Sequence, residues 1–243
     1  MRIGEIHPIA GGDFAEIVEY YNNTNCTIKL KNGELIYNIH YWNLILGTTR
    51  NPYQPTVAEI GYIGIGKYSL KNHKKFYRAW SNMLTRGYNK EYKIKNTTYK
   101  DCSVIEEWHN FQNFAKWFEE NYNPETMQGW DFDKDILIKG NKIYSPETCC
   151  FIPPEVNRMF AKSKANRGKY PMGVNFYKTR YYASVVNNSI NKALGGYDTP
   201  EEAFYAFKIE KEKHIKEVAD KWRELISEKV YQALINYQVE ITD

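Results

Sequence analysis

The stretch VNFYKTRYYASVVNNSINKALGGYDTPEEAFYAF, Val174–Phe207, decides the fold. VNFYKT and RYYASVVN read as strands, Asn187-Asn188 as a turn, NKALGGY as a short third strand and the rest as a helix. A strand alternates its side chains between two faces, so Tyr181, Ala183 and Val185 share one face and Arg180, Tyr182, Ser184 and Val186 the other. Asn175, Lys178, Asn191 and Lys192 are expected near that second face. Thr199, with Pro200 at the first helical position and Glu202 at the third, is a capping-box helix start. Phe204, Phe207, Ile215, Val218, Trp222, Leu225, Ile226 and Val230 keep three- and four-residue spacing, which predicts one long helix. Such a helix packs back on the body or on a second protomer, so a protein partner or homodimer through it enters the expectation.

Upstream, GWDFDKDILIKGNKIYSPETCCFIPPEVNRMF (residues 129–160) reads strand, turn at Gly140-Asn141, strand, then a helix begun through Pro153 and Pro154, a ββα unit. Before it, two aromatic stripes have helical spacing, Phe76, Tyr77, Trp80, Met83 and Leu84, then Trp108, Phe111, Phe114, Ala115 and Phe118. The first 66 residues read as short strands around the Asn32-Gly33 hairpin turn, a small β-barrel or β-meander. The glycines of GYIGIG precede no helix pattern, which argues against a phosphate loop. The expected fold class is therefore α+β, organised as a β-rich module over 1–68, a basic helical region with the ββα unit over 69–160, and the sheet with its helix over 161–243.

The 243 residues are 42% hydrophobic and 26% charged, with net charge +4. Mean hydropathy is −0.66 and no apolar run approaches the roughly 18–20 residues of a membrane span, so no membrane association is expected. MRIGEIHPIAGG lacks the apolar core of a secretory signal, and the expected compartment is cytoplasmic. Cys26, Cys102, Cys149 and Cys150 have no C-x-x-C spacing, which argues against structural zinc and a disulfide framework. The positive charge is concentrated. Between Lys67 and Lys100 ten basic residues, Lys74, Lys75 and Arg78 among them, face the single Glu91. Between Val156 and Tyr197, Arg158, Lys162, Lys164, Arg167, Lys169, Lys178, Arg180 and Lys192 occur with no acidic residue. Two such blocks interleaved with Tyr, Asn and Trp point to a polyanion, most simply duplex DNA.

The C-terminal piece resembles the AP2/ERF DNA-binding domain in the form scattered through phage and homing-nuclease proteins. Gly173-Val174, Tyr181-Tyr182-Ala183-Ser184-Val185, Leu194-Gly195, Tyr197, Thr199, Glu201-Glu202-Ala203 and Ala206 carry the resemblance over about 40 residues. It implies a three-stranded antiparallel sheet backed by one helix, its open face in the major groove. Asn175, Lys178, Arg180, Tyr182, Ser184 and Lys192 would then meet the bases, while Arg158, Lys162, Lys164, Arg167, Lys74, Lys75 and Arg78 hold phosphates. The chain lacks the arginine-rich first strand of the plant proteins and has Ser184 where they have Glu, so their target sequence does not transfer.

The ββα piece resembles a phage HNH-type unit of the homing-endonuclease class through Gly140-Asn141, Cys150-Phe151-Ile152-Pro153 and Asn157. That resemblance implies Mg²⁺ or Mn²⁺ held by Asp133, Asp135 and Asn157 beside a catalytic base. The usual histidine is missing, since none lies between His109 and His214, and the base would have to be Lys134. A lysine's ordinary pKa near ~10.4 makes a poor base at neutral pH, so the unit is expected to be catalytically impaired, with Asp133 and Asp135 as strand-end caps. The leading expectation is a duplex DNA-binding protein. The alternatives are a metal-dependent endonuclease and an inhibitor acting through protein contacts.

Overall fold

The computed structural model describes residues 2–160, 169–187 and 190–243. The chain is α+β. It divides into two compact units, residues 1–100 with 104–116 and residues 101–103 with 117–243. Segment 1–68 lies wholly in the first, the described part of 161–243 lies in the second, and 69–160 is shared between them. Among the described residues no helix is long and apolar enough to cross a membrane.

The first unit opens with β1 (Ile6–Ile9), β2 (Asp13–Asn22), β3 (Asn25–Leu30) and β4 (Leu35–Ile39), an antiparallel meander in chain order. Gly33, at φ +90°, makes the β3–β4 turn the sequence signals. One face buries Ile9, Ala15, Ile17, Ile28, Leu30 and Ile36 against Tyr41 and Leu44 of α1 (Tyr41–Ile45). Strand structure then stops, and residues 57–66 form bridges and turns instead. In GYIGIG a Cβ on Gly61 would meet Leu84 and Trp80, and one on Gly66 would meet the Gln112 amide. The Gln112 amide itself donates to the carbonyls of Ile63 and Tyr68. These glycines allow close packing. α2 (Lys74–Tyr88) buries Trp80, Met83 and Leu84 and leads to α3 (Lys90–Lys95). The second aromatic stripe is not one helix. Trp108 sits in a separate 3₁₀ turn, Glu106–His109, where its carbonyl accepts from the Trp80 indole at 2.7 Å, and α4 (Phe111–Asn121) starts after Asn110. The Asn110 side chain accepts from Gln112 N–H, an orphan donor of the new helix.

β5 (Ser103–Val104) begins with Ser103, a residue of the second unit whose N–H donates to the Lys142 carbonyl just before β7 (Ile143–Tyr144). β6 (Asp131–Asp133) pairs antiparallel with β8 (Cys150–Ile152), and α5 (Pro154–Met159) follows with proline in its first turn. The order read from residues 129–160 is met only in part: β7 follows the Gly140-Asn141 turn, but the strand that pairs with β6 is a third one, β8, just before the helix. Phe151 holds it together, its ring within 6 Å of Trp117, Phe118, Tyr122 and Phe132.

β9 (Val174–Tyr177), β10 (Arg180–Asn187) and β11 (Ile190–Tyr197) form a three-stranded antiparallel sheet with β10 in the middle. α6 (Pro200–Lys221) starts with the full capping box, Thr199 accepting from Glu202 N–H and the Glu202 carboxylate accepting from Thr199 N–H. It covers one sheet face, burying Ala203, Phe204 and Phe207 against Val174, Ala183 and Val185. The single long helix expected from periodicity is two helices. α6 ends at Lys221, and α7 (Glu228–Ile235) restarts with the Ser227 hydroxyl accepting from Val230 N–H. Lys221 and the Trp222 indole both donate to the Glu155 carboxylate where the chain turns, and α7 folds back on α6.

Candidate nucleic-acid interface

Two features of the second unit bear on function, the sheet face turned away from α6 and the carboxylates of the ββα unit. Cross-strand register defines the first. Ala183 stands opposite Val174, and Tyr181 opposite Phe176 and Tyr197, all on the helix side. Asn175, Tyr182 and Gly196 form one row across the opposite face, and Tyr177 stands beside Arg180 there. The predicted phase of β10 is correct. Ala183 and Val185 are 1% and 2% exposed, against 42% for Tyr182 and 61% for Val186. The Tyr182 ring lies over Gly196, where a Cβ would stand 3.0 Å from it, so the glycine leaves room for a ring laid across the sheet.

Asn175, Lys178, Arg180, Tyr182 and Ser184 therefore cluster on or beside the open face. Lys192 does not. A bulge between Ala183 and Ser184 shifts β11 by one residue, so Ser184 faces Ala193 and Val186 faces Asn191. Lys192 then lies opposite buried Val185 on the helix side, bound to Glu210 at 2.7 Å. Arg180 pairs with Asp198 at 3.1 Å. The second basic block, free of acid in the linear sequence, thus acquires two acidic partners in space. Arg158 and Lys169 are exposed in the same unit, while Lys162, Lys164 and Arg167 lie outside the described residues.

Lys178 sits in the two-residue β9–β10 turn at φ +55°. The left-handed region costs a side chain about 1–2 kcal/mol, a strain glycine would avoid. Lys178→Gly is expected to leave the melting temperature unchanged or raise it while lowering affinity for DNA. Unchanged affinity would remove Lys178 from the interface.

Lys74, Lys75 and Arg78 are exposed on α2 in the first unit, away from its buried Trp80 face. Lys74 and Lys75 occupy the first turn, which contains no acidic residue. A cation there opposes the helix dipole at a cost of roughly 0.3–1 kcal/mol, so the dipole does not explain the presence of Lys74.

The ββα carboxylates are arranged differently from the expected metal site. Asp133 Oδ1 accepts the backbone N–H groups of Asp135 and Ile136, both at 2.8 Å, which makes it a strand-end cap. Asn157 turns to Asp131, its amide donating at 2.9 Å. Asp131 went unremarked in the sequence, although it shares a strand face with Asp133 by simple alternation. The expected base, Lys134, is structural. Its side chain is 8% exposed, and its ammonium donates to the Asn141 carbonyl at 3.1 Å and to Asp135 at 3.3 Å. Asn141 in turn donates to the Lys134 and Ile143 carbonyls, which accounts for the Gly140-Asn141 turn. Among the described residues no three His, Cys, Asp or Glu side chains converge as a metal site. With one oxygen of Asp133 used by the backbone, an ammonium on Asp135 and Asn157 directed elsewhere, this set does not fit Mg²⁺ or Mn²⁺.

Burial, and then the charge of Asp135, push Asp133 up to about 6. An acid whose folded pKa exceeds the ordinary 3.8 favours folding when protonated. That contribution is complete below about pH 4 and is lost as pH rises through 6. Asp133→Asn keeps the capping oxygen and removes the charge, so its melting temperature should exceed the wild type's at pH 8 and match it near pH 4. A lower melting temperature at pH 8 would mean the ionised carboxylate has a partner and is stabilising.

Comparison with protein-family models, curated proteins and solved structures returned no match to this chain.

Proposed function

We propose that this protein binds duplex DNA, with the open face of the β9–β10–β11 sheet in the major groove and exposed basic side chains on the phosphates. One observation carries the reading: the sheet buries one face under α6 and leaves Asn175, Tyr177, Arg180, Tyr182 and Val186 exposed on the other. The major groove, about 12 Å wide, admits a narrow β element. Lys178, a side chain held in the left-handed region, and Lys74, a cation in the first turn of α2, support it, since backbone conformation and helix dipole do not favour them there. The AP2/ERF resemblance, which rests on the same strands and the Thr199 cap, implies the same mode of docking. The HNH-like unit is proposed to be a non-catalytic ββα element within this protein.

The test is titration of labelled duplex DNA with the whole protein at several salt concentrations, followed by fluorescence anisotropy. Salt-sensitive binding is the expected result. An absence of DNA affinity beside tight binding of a protein would favour the inhibitor alternative.

A further inference from the structure

We infer that the open sheet face selects A·T-containing sites, reading adenine with asparagine and thymine with methyl groups. This rests on the DNA-binding reading above and goes beyond it. The outward positions, fixed by register, are Asn175 and Tyr177 on β9, Arg180, Tyr182, Ser184 and Val186 on β10, and Asn191, Ala193 and Gly196 on β11. No carboxylate is among them, so the face offers no acidic acceptor for the cytosine amino group. The residue types that suit guanine O6 and N7, Arg180 and Lys178, stand together at the hairpin end, where Arg180 pairs with Asp198 at 3.1 Å. The two amide side chains, Asn175 and Asn191, are both exposed. An asparagine amide can donate an N–H to adenine N7 while its carbonyl oxygen accepts from the N6 amino group. Val186 and Ala193 present methyl groups to solvent, and Val186 is 61% exposed. Such groups contact the thymine C5-methyl, the only apolar feature of a base-pair edge in the major groove.

The spacing agrees with this. Outward residues on a strand repeat every ~6.8 Å, so Arg180 to Val186 spans about 20 Å. At ~3.4 Å per base pair that is roughly six base pairs. Arg180 and Lys178 mark one end of that footprint, and Val186 with Asn191 the other.

The experiment is competition anisotropy with the full chain at one fixed salt concentration, using 16-base-pair duplexes. The first contains only A·T pairs and the second only G·C pairs. The third replaces thymine with uracil, removing the methyl, and the fourth replaces adenine with 7-deazaadenine, removing N7. We expect the A·T duplex to bind at least about tenfold tighter than the G·C duplex, with each base analogue losing about threefold or more. Asn175→Ala, checked for an unchanged melting temperature, should reduce the preference and the sensitivity to 7-deazaadenine together. Salt-sensitive binding with equal affinity for both sequences, or a G·C preference, overturns the inference and leaves the DNA reading standing. An A·T preference that survives both analogues also overturns it, because that pattern belongs to minor-groove shape. No salt-sensitive binding to any duplex overturns both.

Discussion

Affinity for duplex DNA is expected to collapse as salt rises. Each phosphate neutralised by a lysine or arginine releases condensed counterions, giving a log–log slope of about −0.9 per contact. With about six such contacts, drawn from residues such as Lys74, Lys75, Arg78, Arg158, Lys178 and Arg180, affinity falls about 10³-fold between roughly 50 and 200 mM salt. The face on which a basic side chain lies sets the detail. Lys192, held by Glu210 on the helix side, should contribute little, and Lys192→Ala should leave the slope nearly unchanged. Lys74→Ala and Arg78→Ala should each reduce the slope by about one and weaken all sequences alike. A flat salt dependence would sink the DNA reading.

The second large effect is catalytic silence. Single-turnover incubation of supercoiled plasmid with Mg²⁺ or Mn²⁺ is expected to give no protein-dependent nicking. General base catalysis is worth about 10² to 10⁴ in rate, and the one residue the sequence offers as base has its ammonium hydrogen-bonded to the Asn141 carbonyl and Asp135. Asp133 is lifted to about 6, a value compatible with proton transfer near neutral pH, and is therefore the residue to vary. Its Oδ1 is committed to two backbone N–H groups, and Asn157 serves Asp131. Metal-dependent cleavage by wild type that Asp133→Ala or Asp135→Ala abolishes would promote the endonuclease alternative and reject the view of Asp133 as a cap. Cleavage indifferent to both, and to Lys134→Ala, would indicate a contaminant or a site elsewhere in the chain.

Much of the fold was legible because local chemistry and tertiary structure agree there. The Thr199–Glu202 capping box and the Asn32-Gly33 turn are satisfied by neighbours within a few residues, and the alternation of β10 records which side α6 covers. Misreadings arise where one residue breaks a period. Leu194-Gly195, with Gly195 at φ +124°, absorbs the β11 bulge and carries Lys192 to the far face, an event alternation alone cannot register. The apolar spacing through Trp222 and Val230 continues across the α6–α7 break because both helices bury residues in the same unit, and only Ser227 marks the restart. Trp108 misleads in the same way, packing beside a helix it does not join. In the ββα unit the residue types were visible but their partners were not. Whether Asn157 turns to Asp131 or Asp133, and whether Lys134 is exposed or enclosed, depends on how strands and turns pack in three dimensions.

The most direct test of the central claim compares wild type with Arg180→Ala and Tyr182→Ala by anisotropy on a duplex selected by the protein, with thermal melts alongside. Both side chains lie on the exposed face, so each variant should keep its melting temperature within a few degrees. Each should lose about 1–3 kcal/mol of specific binding, roughly 5- to 150-fold. Unchanged affinity in both folded variants would contradict the assignment of this face to DNA.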